Sequence, residues 1–203
     1  VVPRRGGGGL IENALEALRE GRPVVLPVDT VYGLCADPYR EEPVRELYRM
    51  KQRPAEQPMA LLAKDVDFLV GLVPELRDGA DMLVRALLPG PFTLVLPNPG
   101  ERFRWLTGST PDRIGVRVPE LSGPGAEVLA RVGAVVATSA NLRGGPEPTR
   151  VDDVPVEIRA GAAAIVDGGE LPGTPSTVLD LTGPEPIVIR EGAVPAEQAI
   201  ERA

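Results

Sequence analysis

Apolar positions along this chain fall into two repeating patterns. Leu10, Ile11, Ala14, Leu15 and Leu18 recur at helical spacing and stop at Gly21, which predicts a helix. Val24-Val25-Leu26-Pro27 follows as a continuous apolar run closed by a proline, the pattern of a buried strand whose ladder cannot extend further. Similar runs recur at residues 59–63, 92–96, 114–119, 134–137 and 163–166. Residues 176–181 and 186–190 read as a strand pair, and 59–63 is expected near the first strand. Helical spacing returns at residues 43–50, with Val44, Leu47 and Tyr48 on one face and Glu41, Glu42, Arg45, Glu46 and Arg49 solvated. It returns again over 66–88 with an interruption at Pro74, over 126–132, and in a short closing helix over 195–201. Residues 97–112 form a polar, turn-rich loop. Strands alternating with helices predict an α/β domain.

Polar residues gather where the apolar runs end. Asp29 and Thr30 follow Pro27, and Thr138-Ser139-Ala140-Asn141 follows 134–137, with Gly144-Gly145 and Thr149 a short way beyond. Such short polar side chains suit either a ligand pocket at a strand end or an ordinary capped turn. Ser176 starts one late strand and Arg190 finishes the other. Arg117 stands alone among apolar neighbours, and a buried arginine requires a partner. That partner is either a fixed carboxylate such as Asp29 or the acid group of a ligand. Lys51-Gln52-Arg53-Pro54 closes the helix at 43–50, as a phosphate-binding turn or a basic surface turn. Lysine occurs only at Lys51 and Lys64, against twenty arginines, so Lys51 reads as a chosen point charge beside the bidentate fork of Arg53. Trp105 is a lid contact or a loop anchor.

Composition narrows the chemistry. With 203 residues, 43% of them hydrophobic, the chain can bury the core of one large domain. We assign residues 1–9 to a flexible leader and 10–203 to that domain. The glycines at 6–9 lack both a preceding strand and a following Lys-Ser or Lys-Thr, so they are not a Walker loop. A net charge of −7 argues against broad nucleic-acid binding as the main task. No histidine and a single cysteine remove the usual zinc and non-haem iron ligand sets and any Ser-His-Asp triad, so no protein metal site is expected. Cys35 reads as a small buried hydrophobe. No run approaches membrane-spanning length and no signal-peptide pattern opens the chain, so a cytoplasmic protein without membrane contact is expected. Hydroxyls, an amide and guanidiniums at several strand ends suit an anionic nucleotide bound together with a small carboxylate. Catalysis would then proceed by positioning and charge stabilisation.

Seven motifs, in order and spacing, resemble the YrdC-like threonylcarbamoyl-AMP synthases: residues 27–34, 51–54, 88–93, 116–119, 138–141, 176–178 and 189–192. The likeness runs from Ile11 to Val194. It implies a twisted, mostly open mixed α/β sheet with flanking helices around a deep basic cavity. It implies that L-threonine, bicarbonate and ATP yield threonylcarbamoyl-AMP and pyrophosphate, the first stage of the threonylcarbamoyl modification of adenosine 37 in ANN-decoding tRNAs. Carried over by position, Thr30, Arg117, Ser139 and Ser176 are the threonine contacts. Lys51, Arg53, Gln57, Asn141, Thr149 and Arg190 are the ATP contacts, with Lys51 and Arg53 catalytic through charge neutralisation. Mg²⁺ is expected with ATP, held mostly by phosphates and water. Proteins of the downstream tRNA threonylcarbamoyl transfer are implied partners, and contact with tRNA or double-stranded RNA is a further implication. The chain departs from the family pattern at Val28, Leu62 and Arg113, and resembles its short, single-domain form. Two alternatives stay open: a carbamoyl-adenylate-forming or carbamoyl-transfer enzyme on the same scaffold, and a non-catalytic double-stranded RNA-binding module.

Overall fold

Apolar side chains along extended segments must find cover on both sides of a sheet, and among the described residues the sheet has nine strands. The computed structural model of the chain describes residues 7–74, 81–195 and 197. Helix α1 (Gly7–Arg19) leads into β1 (Val24–Pro27) and β2 (Tyr32–Ala36), then α2 (Glu41–Met50) and β3 (Ala60–Ala63). Helices α3 (Val66–Leu72) and α4 (Asp81–Leu87) precede β4 (Phe92–Pro97) and β5 (Arg113–Arg117). Helix α5 (Gly123–Val132), β6 (Ala134–Ser139), α6 (Val156–Gly161) and the strands β7 (Ala164–Ile165), β8 (Thr177–Asp180) and β9 (Ile187–Arg190) complete the order. Laterally the strands run β7-β1-β2-β6-β3-β5-β4-β8-β9, with parallel pairs β1/β7, β3/β5 and β4/β8 and antiparallel pairs elsewhere. This is the mixed, open α/β sheet expected, and β8 and β9 pair as predicted.

The alternation of β1 shows how the core divides. Val25 joins Leu34, Leu61, Leu94 and Val116 on the face covered by Val44 and Leu47 of α2 and Ile158 of α6. Val24 and Leu26 point the other way, against Leu15 and Leu18 of α1 and Val128 of α5. Gly125 lets α5 close onto β1, since a Cβ there would lie 2.2 Å from the Pro27 carbonyl oxygen.

Several boundaries differ from the sequence expectation. Helix α1 begins at Gly7 rather than Leu10, so three of the residues assigned to the leader are helical, and residues 1–6 lie outside the described residues. Strand β2 was hidden because only Val28–Val31 separates it from β1, and with valines at both ends of that turn just two polar residues, Asp29 and Thr30, interrupt the apolar pattern. Strand β3 does not neighbour β1, because β2 and β6 stand between them. Helix α6 escaped notice because it is short and buries only Ile158. The interruption expected at Pro74 is present, since α3 ends at Leu72 and α4 starts at Asp81, while residues 75–80 and all of the closing helix at 195–201 except 195 and 197 lie outside the described residues. No helix among the described residues is long and apolar enough to cross a membrane.

Candidate active site

On the face that carries α1 and α5, the part of the sheet built from β5, β4 and β8 is covered by no helix among the described residues, and together with Ala60 and Leu62 of β3 it floors a cavity of about 330 Å³. The alternation of β5 dictates its floor. Ile114 and Val116 point into the core, so Arg113, Gly115 and Arg117 share the cavity face. A Cβ on Gly115 would meet nothing closer than 3.8 Å, so the absent side chain leaves open volume rather than relieving a clash.

One end of the cavity is built around Arg117, which is 9% exposed. Its Nη2 donates to Asp29 Oδ1 at 2.6 Å, so the fixed carboxylate is its partner. The pairing is incomplete: Arg117 Nε, Asp29 Oδ2 and the Thr30 hydroxyl are buried without a hydrogen-bond partner. Burial pushes the Asp29 carboxyl above its ordinary value despite the guanidinium beside it. Across the floor Ser176 Oγ lies 2.8 Å from Thr93 Oγ1, and Arg190 donates to the Ser176 carbonyl at 2.7 Å. The turn between β1 and β2 therefore delivers Asp29 and Thr30, and the start of β8 delivers Ser176.

The other end is built where α2 runs out beneath the end of β6. Lys51 is buried, and its Nζ donates to the Ser139 carbonyl at 2.6 Å and to Asn141 Oδ1 at 2.7 Å. Burial, with the nearby Arg53 charge, brings its ammonium down to about 8, against a smaller opposing pull from Glu147. Asn141 Oδ1 also accepts from the Ser139 hydroxyl at 2.7 Å, and its Nδ2 donates to the Gly145 carbonyl. Arg53 donates to Thr138 Oγ1 at 3.2 Å and to the Pro58 carbonyl at 2.7 Å, while its Nε is buried without a partner. Carbonyl and hydroxyl oxygens orient Lys51, Arg53 and Arg190 without neutralising them. The site thus carries surplus positive charge in a partly dry setting, which favours anions.

Of the residues singled out in the sequence, Thr30, Arg53, Arg117, Ser139, Ser176 and Arg190 line the cavity together. Lys51 and Asn141 sit just behind Ser139. Gln57 and Thr149 stand apart from the lining. The Gln57 carbonyl accepts from the Tyr48 hydroxyl, and Thr149 bonds through both its N–H and its hydroxyl to Asp153. Val28, Leu62 and Arg113, the departures from the family pattern, all line the cavity. Trp105 is an anchor, its Nε1 donating to the Pro38 carbonyl at 2.8 Å and its ring edge-on to Phe103. Cys35 is fully buried with its thiol pushed up to about 12, in keeping with a packing role. The sequence reading missed Thr93 and Glu147 as lining residues. Period-two alternation from the buried Leu94 would have found Thr93, whereas Glu147 stands in a proline-flanked loop that carries no periodic signal.

The chain is similar to proteins already characterised by sequence or structure. A Pyrococcus abyssi (strain GE5 / Orsay) protein named threonylcarbamoyl-AMP synthase is 37% identical over 184 residues, 89% of this chain and 53% of that protein. This chain therefore spans about half the length of that relative. An Escherichia coli O1:K1 / APEC protein of the same name is 36% identical over 181 residues, 87% of this chain and 94% of that protein. The crystal structure of P. abyssi Sua5 complexed with L-threonine superposes with a TM-score of 0.84 at 35% identity, over 95% of this chain and 56% of that one. A family model for Sua5, YciO and YrdC, described as telomere recombination, matches residues 16–192. That span takes in every strand from β1 to β9 and with them the cavity floor, so this chain belongs to the Sua5/YciO/YrdC family.

Proposed function

We propose that this chain is an L-threonylcarbamoyladenylate synthase, converting L-threonine, bicarbonate and ATP into threonylcarbamoyl-AMP and pyrophosphate. The observation that carries this reading is the two-ended cavity: a half-satisfied arginine beside the unpartnered Thr30 hydroxyl at one end, and uncompensated cationic groups at the other. The threonine-bound Sua5 relative, which matches 95% of the chain, supports the choice of amino acid.

In this proposal the threonine carboxylate binds Arg117, whose Nε still has an N–H to give, and the Thr30 and Ser176 hydroxyls hold the substrate's polar groups. The amine nitrogen attacks the carbon of bicarbonate; a C–N bond forms, water leaves and a carbamate results. A carbamate oxygen then attacks the α-phosphorus of ATP, and the bond to the β,γ-pyrophosphate breaks with its electron pair on the leaving group. The chain has no histidine, so its contribution is geometry and charge. Lys51, Arg53 and Arg190 neutralise phosphate oxygens, Ser139 and Asn141 fix the Lys51 ammonium, and Gln57 and Thr149 contact the nucleotide from outside the lining. Mg²⁺ accompanying ATP would offset triphosphate charge. The orphaned, buried Oε2 of Glu147 fits such a cation, although the described residues contain no group of three or more acidic, His or Cys side chains arranged as a metal cage. The product is a mixed carbamic-phosphoric anhydride, and downstream tRNA threonylcarbamoyl transfer proteins would consume it in the cytoplasm, with or without direct tRNA contact by this chain.

The test is pyrophosphate release from ATP. Release that requires both L-threonine and bicarbonate and collapses in Lys51→Ala and Arg190→Ala is the expected outcome. Release indifferent to threonine would instead favour carbamoyl transfer on the same scaffold, and no release with salt-sensitive RNA binding would favour an RNA-binding module.

A further inference from the structure

Four arginines, Arg53, Arg113, Arg117 and Arg190, line the cavity, and among the described lining residues only Glu147 is acidic. A carboxylate on the wall of an anion site opposes its own ligand unless a cation comes between them. Glu147 is no accident of a loose loop. It stands between Pro146 and Pro148, whose rings fix their own φ, and the residue before a proline is confined to extended backbone. The loop is tied down on both sides: the Gly145 carbonyl accepts from Asn141 Nδ2 at 2.7 Å, and the Pro148 carbonyl accepts from the Tyr32 N–H at 2.9 Å. Held in this way, Glu147 keeps Oε2 buried without any hydrogen-bond partner.

Its neighbourhood identifies the missing partner. Glu147 acts electrostatically on Lys51, at the Lys51–Arg53 end, whereas the charges acting on Arg117 are those of Asp29, Arg190 and Cys35. The amino-acid substrate's ammonium therefore belongs at the other end of the cavity. We propose that Glu147 is the protein's ligand for the divalent cation that accompanies the nucleotide, directly or through one of the cation's waters. Mg²⁺ commonly takes one or two carboxylates, substrate phosphates and several waters, so a single carboxylate facing a phosphate site is sufficient.

This inference rests on the reading that the cavity binds ATP, and the experiment separates the two. ATP affinity is measured by calorimetry for the whole chain and for Glu147→Gln, each with Mg²⁺ and with the metal chelated. Wild type should bind ATP about tenfold more tightly with Mg²⁺ than without it, and Glu147→Gln should lose most of that gain. Metal-free ATP should bind Glu147→Gln as well as wild type or better, because a repelling charge has gone. Mn²⁺ bound with ATP should likewise give an altered paramagnetic resonance spectrum in the variant, and Glu147→Asp should keep part of the Mg²⁺ gain. An equal loss with and without metal would overturn the assignment in favour of a hydroxyl contact to the nucleotide, and an unchanged Mg²⁺ gain would overturn it outright. Wild type that binds no ATP under either condition would remove the functional reading itself, and this inference with it.

Discussion

On one face of the sheet, β1, β2 and β6 lie under α1 and α5, while β5, β4 and β8 face the cavity, and one cross-strand row traces the passage from the first region to the second. Val24 pairs with Cys35, Cys35 with Ala137, Ala137 with Ala60, Ala60 with Gly115, and Gly115 with Val95. Along this row the side chains shrink toward Gly115, at the cavity floor. The covered region follows the ordinary rule of burial, with Leu15 fully buried against β1. In the open region the same alternation presents Thr93, Arg113 and Arg117. A strand's periodicity decides which side chains share a face, and the placement of the helices decides whether that face becomes core or site. Polar floor residues are tolerable only where each is partly satisfied, which is why Arg117 meets Asp29 and Ser176 meets Thr93.

The largest effect should come from Arg117, where the open region borrows the logic of the covered one. Arg117→Ala leaves the Asp29 carboxylate buried without its cation, and the unfolding free energy should fall by about 3–5 kcal/mol. The loss should depend on pH. The folded-state value of Asp29 is already raised by burial, and removing the guanidinium raises it further. The folded state then holds its proton to higher pH than the unfolded chain does. Stability of the variant is accordingly greatest below the ordinary carboxylate range and declines as pH rises through the raised value. Urea titrations across pH 4–8 check this, and a variant equally stable throughout would show that Asp29 relaxes into water.

A matched pair of substitutions tests the boundary itself. Leu15→Ala, in the covered region, should cost about 2–5 kcal/mol of stability by leaving a cavity under α1. Gly115→Val, in the open region, should shift stability by less than about 1 kcal/mol, because valine suits a strand and the Cβ meets no close neighbour. The same valine fills the cavity floor, so threonine-dependent pyrophosphate release should be lost. Thermal melts of both variants alongside the assay suffice; a Gly115→Val protein that melts like Leu15→Ala would place Gly115 in the core.

Lys51 sharpens the contrast by titration. Its ammonium, brought down to about 8 by burial and Arg53, is partly neutral in mildly alkaline solution, so ATP affinity should weaken as pH rises through about 8. Lys51→Arg should remove that break. The sign for stability is opposite: the unfolded chain holds the proton to higher pH than the folded one, so folding stability contributed by this group rises from about 8 upward. Nucleotide titrations and urea midpoints over pH 7–10 would reveal both trends, and trends of the same sign would mean that Lys51 is not the titrating group.

How much of this could be read from the chain follows from the same physics. Arg117 announced itself because a lone charge in an apolar strand demands a partner, and Lys51 because lysine is so rare here. Runs of apolar residues disclosed eight of the nine strands but not their lateral order, since β3 reaches β6 and β5 through contacts distant in sequence. Strand β2 disappeared into β1 because a four-residue turn with valines at both ends gives no polar interruption long enough to register. Glu147 stayed invisible because its role depends on where an irregular loop returns to the sheet, and loop paths leave no periodic trace.

The smallest effect concerns Arg113, which shares strand and face with Arg117 but sits at the rim. Its Nη1 donates to Asp180 Oδ2 at 3.0 Å with 44% of the side chain exposed, so water screens the pair and competes for both partners. Arg113→Ala should therefore change stability by less than about 1 kcal/mol, against several for Arg117→Ala on the same strand. Because Arg113 lines the cavity, its loss should still weaken binding of an anionic substrate modestly, and the weakening should fade as salt rises. Measuring ATP affinity of wild type and Arg113→Ala at low and high ionic strength isolates that contribution. A salt-independent deficit would mean that Arg113 touches the ligand directly and that the site extends to the rim, whereas a convergence of the two affinities at high salt confines the direct contacts to the buried part of the floor.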